Sequence, residues 1–233
     1  MDAGFLLKSQ CYFGGGTQLA LAHGEYRESR DIDFLVSSPD GIRAITETVG
    51  EKSLGKIFKE PISLARDVVR DRDAVRTYIA EDPASDPIKL EIIYEARIRT
   101  LGGALDPGLR VPVLDPSDAV AEKLLANVDR GSDRTFHSRD VIDLAFAALD
   151  LDNETFRAGV ELAQTAYGNA VLRDLSEALK KLELDARYRA QCVERLLIDD
   201  PKRLRQGIAR LRALRRIAAE TRRLKVSRRA RRA

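Results

Sequence analysis

Along the first hundred residues the apolar positions alternate with polar ones often enough to predict strands. Asp31-Ile32-Asp33-Phe34 opens the clearest of these, a strand over residues 31–36. Alternate side chains share a face of a strand, so Asp31 and Asp33 are expected on one side, about 7 Å apart, with Ile32 and Phe34 turned into a core. Residues 88–94 repeat the pattern, with Lys89 and Glu91 on one face and Leu90 and Ile92 on the other. Weaker strands are predicted over residues 57–62 and 74–80, a turn over 37–41, a helix over 42–49 and a loop over 81–87. Ahead of the first strand, Gly14-Gly15-Gly16-Thr17 leads into Thr-Gln-Leu-Ala-Leu-Ala, read as a helix over residues 17–22.

From residue 113 the period changes to that of helices. Asp115-Pro116-Ser117-Asp118 supplies an N-cap and a proline for the first turn of a helix reaching Asn127. A loop over residues 130–134 precedes a helix over 138–146, on which Asp140 and Asp143 share a face. Further helices are expected over 153–167, 170–182 and 185–197. Lys123 stands in an apolar stretch, where it either snorkels to water or faces a polar site. The expected fold class is α+β, with a first domain over residues 1–112, a helical domain over 113–200 and a basic segment over 201–233.

Composition changes this picture in one place. The chain has 233 residues and a net charge of +3. Residues 201–233 hold 14 Lys or Arg and one acid, a net of +13, which leaves 26 basic and 36 acidic residues, a net of −10, for residues 1–200. Leu204, Ile208, Leu211, Leu214 and Ile217 recur at helical spacing there, so the segment is expected to be an amphipathic basic helix, with a mobile end after Ser227. It could bind RNA phosphates, dock on an acidic surface or remain solvated. It contains no aromatic residue for base stacking. No stretch approaches the roughly 20 apolar residues of a membrane span, and the opening residues lack a secretory pattern, so a cytoplasmic protein is expected. Cys11 and Cys192 have no metal-ligand spacing, and His23 and His137 are not a ligand pair.

The candidate chemistry comes from the glycines and the acids together. Two carboxylates side by side repel each other unless a cation lies between them, and hard oxygen donors suit Mg²⁺ or Mn²⁺. A glycine-led helix start offers unpaired N–H groups to phosphate. The conjunction points to metal-dependent nucleotidyl transfer from a nucleoside triphosphate. Glu91 either completes the metal site or faces solvent; adjacency of its strand to Asp31 and Asp33 would settle which.

Gly15-Gly16-Thr17, Arg27-x-Ser29-x-Asp31-Ile32-Asp33-Phe34, Lys89-Leu90-Glu91-Ile92, Glu122-Lys123-Leu124-x-Ala126 and Arg139-Asp140-x-x-Asp143-Leu144 occur in this order over roughly residues 13–146. They resemble the AbiEii/AbiGii nucleotidyltransferase toxin family. The resemblance implies a polymerase-beta-like nucleotidyltransferase fold with a mixed sheet, followed by helices, in a toxin that acts beside a cognate antitoxin. Some relatives, the MenT group, add nucleotides to the 3′ end of tRNA, which makes tRNA the expected acceptor. Carried over, Gly15, Gly16, Thr17 and Ser29 hold the triphosphate, Asp31, Asp33 and Glu91 the metal, Lys123 contacts phosphate, and Asp140 is an essential acid with Asp143 beside it. Glutamate stands at residue 91 where such enzymes often have aspartate, and a helix found ahead of the glycines in many relatives is expected to be short or missing. The other readings are a small-molecule nucleotidyltransferase of the antibiotic-modifying kind, which needs no cationic tail, and an inactive module that works by binding a partner.

Overall fold

Ile32, Phe34 and Val36 alternate inward in a strand that becomes the middle of a seven-stranded mixed sheet. The computed structural model describes residues 1–80, 82, 85–98 and 101–230, with side chains as far as residue 220. Its strands are β1 (Cys11–Gly14), β2 (Ile32–Val36), β3 (Leu64–Arg70), β4 (Ala74–Ile79), β5 (Ile88–Tyr94), β6 (Gly103–Leu105) and β7 (Pro112–Leu114). They lie in the order β3-β4-β5-β2-β1-β7-β6. β2 runs parallel to β5 and β1 parallel to β7, while the other neighbours are antiparallel.

The helices are α1 (Ala3–Lys8), α2 (Gly15–Ala22), α3 (Pro39–Thr48), α4 (Pro116–Arg130), α5 (Arg139–Asp150), α6 (Asn153–Tyr167), α7 (Ala170–Leu184), α8 (Ala186–Arg195) and α9 (Pro201–Ala230). Two compact units result. One comprises residues 1–21 and 29–118, and the other residues 22–28 and 119–233. The boundary thus falls after β7, not at residue 112, because that strand pairs with β1 and β6. The basic segment belongs to the helical unit and is not a separate domain.

In the first unit one face of the sheet carries Cys11, Phe13, Phe34, Val36, Val75, Leu90 and Ile92, buried with Leu6 of α1 and Ile42 and Ile45 of α3. The sequence placed a strand at 57–62. Residues Gly55–Ile57 instead form a 3₁₀ turn, whose Ile57 joins this core, and the strand comes later, as β3. Its Leu-Ala-Arg-Asp-Val-Val-Arg lacks clean alternation because it is an edge strand exposed along most of its length. α3 also begins earlier than expected: the Ser38 hydroxyl accepts from the Gly41 N–H and Pro39 fills the first turn. A six-residue α1 stands ahead of the glycines. Part of the expected 81–87 loop (residues 81, 83 and 84) lies outside the described residues, as do residues 231–233 of the expected mobile end, while 228–230 continue α9.

In the helical unit α9 packs on α5 through Leu204, Ile208, Leu211 and Leu214, all nearly inaccessible to solvent. Gly207 makes the approach possible, since a β-carbon there would meet the Ala145 carbonyl oxygen. No described helix is long and apolar enough to cross a membrane.

Candidate active site

β1 delivers the chain to α2 through Gly15, whose φ of +74° suits glycine and whose missing β-carbon would collide with the Asp33 carboxylate. The helix of Gly15, Gly16 and Thr17 can therefore begin directly against Asp33. The Thr17 hydroxyl lies 2.8 Å from the Ser29 hydroxyl and donates to the Asp31 carbonyl, which ties the segment before β2 to the first turn of α2. Asp33 and Glu91 are partners in the parallel β2–β5 pair, so the strand bearing Glu91 does neighbour the acids.

The carboxylate of Glu91 is nevertheless engaged elsewhere. It accepts from Lys89 Nζ at 2.6 Å and from Arg76 Nε at 3.1 Å, and Arg76 also binds Asp71 at 3.0 Å. Its hydrogen bond to Glu91 raises the Lys89 pKa against some desolvation, and the charge of Asp31 adds to the effect. Among the described residues no three acid, imidazole or thiol groups gather as a metal cluster. In this structure the Glu91 carboxylate is held by two cations, Lys89 and Arg76. The exposed Asp31 and half-buried Asp33, on the face opposite the core and beside a helix start that only glycine leaves open, are hard donors that fit one divalent cation.

In the helical unit a second charged cluster forms. Lys123, only 6% exposed, lies 3.1 Å from Asp140 and 2.8 Å from Asp143. Arg130 holds Asp140 through two contacts of 2.8 Å. Arg27 grips both oxygens of Asp143 at 2.7 and 3.0 Å, and the Tyr26 hydroxyl donates to it at 2.8 Å. Tyr26 is itself stacked on Phe146, ring centroids 3.9 Å apart. Burial pushes both aspartates up, but Lys123 with Arg130 for Asp140, and Lys123 with Arg27 for Asp143, more than reverses it, and both pKa values fall below the ordinary one. Lys123 therefore faces a polar site rather than snorkelling. With two of its three N–H donors committed, a phosphate contact would have to use the third.

Sequence reasoning passed over Tyr26, Arg130 and Arg76, and gave Arg27 and Lys89 no role. Arg130 was signalled by its seven-residue spacing from Lys123, which returns to the same helix face. His23 lies 2.7 Å from Asp150, and Cys11 and Cys192 are buried free thiols.

Comparison with known proteins bears on the fold and the family. In fold the chain is similar to a Helicobacter pylori protein described as a "putative nucleotidyltransferase", at 18% identity over 94% of this chain and 90% of that one, with a TM-score of 0.57. JHP933 from Helicobacter pylori is likewise similar, at 19% identity over 99% and 93%, with a TM-score of 0.57. No curated protein matches. Residues 4–216 match the family described as nucleotidyl transferase AbiEii toxin of type IV toxin–antitoxin systems. The chain belongs to this AbiEii family of nucleotidyltransferase toxins.

Proposed function

We propose that this nucleotidyltransferase moves a nucleoside monophosphate from a nucleoside triphosphate to a hydroxyl of RNA, with tRNA as the acceptor, in the cytoplasm and under the control of a cognate antitoxin. The observation that carries the reading is the placement of Asp33 against the glycine-led start of α2. The N–H groups of Gly15, Gly16 and Thr17 would take the triphosphate, with the Ser29 hydroxyl, bonded to Thr17, beside them.

Asp31 and Asp33 would hold Mg²⁺ or Mn²⁺. When bound, the cation neutralises phosphate charge and favours ionisation of the attacking hydroxyl. The acceptor oxygen forms a bond to the α-phosphorus as the bond to the bridging oxygen of the β-phosphate breaks; pyrophosphate leaves and the hydroxyl proton passes to water. Glu91 acts by orienting Lys89 and Arg76 beside the acids. Lys123 keeps one N–H donor for a phosphate, and Asp140 fixes its ammonium.

The test is incubation with each α-labelled triphosphate, Mg²⁺ and total RNA. Label is expected on tRNA with the parent protein and, at least a hundredfold less, with Asp31→Ala or Asp33→Ala, since these remove ligands for transition-state charge. EDTA should abolish it. Label on an aminoglycoside or another small alcohol instead of RNA would favour a small-molecule acceptor, and label on nothing would favour an inactive partner-binding module.

A further inference from the structure

Beyond the two acids, the same sheet face continues through three more strands. Tyr78 of β4 pairs with Lys89 of β5 and with Arg66 of β3, and Asp31 extends the β2–β5 register beside Lys89. The row across the sheet is thus Asp31, Lys89, Tyr78, Arg66. At about 4.8 Å between strands, it spans roughly 14 Å. The Arg66 guanidinium lies 4.4 Å from the centre of the Tyr78 ring and is solvent-exposed, while Tyr78 and Lys89 are half-buried. Among the described residues Arg66 has no carboxylate partner. The guanidinium layered over the ring, with the Lys89 ammonium next in the row, offers an unpaired base a flat cationic platform and its phosphates a charge.

We propose that this row seats the single-stranded end of the acceptor, with a base stacked on the Arg66 guanidinium that Tyr78 backs and phosphate held by Lys89, so that the terminal hydroxyl reaches Asp31 and Asp33. The proposal rests on the RNA-acceptor reading above and adds where the acceptor lies. Glu91 does not oppose it, because Lys89 and Arg76 already neutralise that carboxylate. Of the cations of the basic helix, Arg203 lies over Phe146, Arg210 donates to Leu151 and Asn153, Arg212 to Glu183 and Arg215 to Leu172, all within the helical unit.

The experiment measures binding of a 5′-fluorescent single-stranded RNA by anisotropy, without nucleotide or metal, for the parent, Tyr78→Phe, Tyr78→Ala and Arg66→Glu. Tyr78→Phe should bind as the parent does, whereas Tyr78→Ala and Arg66→Glu should each bind about tenfold more weakly, Arg66→Glu with a shallower salt dependence. Binding of triphosphate, followed separately, should be unchanged in all of them. Arg66 is exposed on an edge strand, so its variant tests the idea even if Tyr78→Ala folds poorly. Equal RNA binding by Arg66→Glu and the parent would overturn the proposal, as would full competition by duplex RNA. If the parent labels tRNA while Arg66→Glu binds and is labelled equally well, the row is wrong and the acceptor stands; if the parent labels no RNA, the acceptor is wrong and the row falls with it.

Discussion

Asp143 is fully enclosed, and an ionised carboxylate is tolerable there only because Arg27, Lys123 and Tyr26 all donate to it. Removing one side of such a pair strands the other charge. Asp143→Asn should therefore cost about 3–5 kcal/mol in urea unfolding, leaving Arg27 and Lys123 undercompensated. The same group sets a pH dependence. Its folded pKa lies below the ordinary 3.8, so the unfolded chain binds the proton more readily. The stabilisation is complete above the ordinary value and is lost as pH falls through the folded one. Stability followed by circular dichroism from pH 7 downwards should hold steady to about pH 4 and then drop, and the drop should be smaller in Asp143→Asn. Asp140 adds to the same acid-side loss. The residues themselves were legible: Lys123, Asp140 and Asp143 stood out as charges on apolar helices. Their partners were not, because Arg27 lies more than a hundred residues away in sequence and only folding brings it to Asp143.

At the level of elements, the close packing of α9 on α5 has a test of unusual sign. Gly207 sits inside a helix, where replacement by alanine ordinarily stabilises by about 1 kcal/mol. Here the added carbon would meet the carbonyl oxygen of Ala145, a backbone atom that cannot rotate away. Gly207→Ala should instead destabilise by about 1–3 kcal/mol, read as a lowered Tm of the helical unit. Most of the helices were predicted within a few residues because they carry their own 3.6-residue period, and some a cap, as with Asp152 accepting from the Thr155 N–H at the start of α6. β3 was misplaced because an edge strand buries little and its sequence has no alternation to read. Its bulged register with β4 is set by the neighbour it pairs with.

For the whole molecule, the contrast between a net −10 body and a +13 segment is less of a division than it looks. The basic segment is structural: Leu204, Ile208, Leu211, Leu214 and Ala218 are buried in the helical unit. Deleting residues 201–233 is expected to abolish cooperative unfolding of that unit by circular dichroism, and not merely to weaken RNA binding. A protein that kept a full cooperative transition after the deletion would show that the helix is an appendage. By itself the sequence determined the α+β class, the glycine-led helix, the strand bearing Asp31 and Asp33 and the strand bearing Glu91, because local periodicity and backbone propensity act over a few residues. Only the tertiary structure decided that Glu91 is neutralised by Lys89 and Arg76, that Lys123 is locked between two aspartates, that residues 22–28 belong with the helices, and that Tyr78 and Arg66 line up with the acids. Those outcomes depend on strand order and on charges meeting across long stretches of chain, and neither is encoded in any short window of residues.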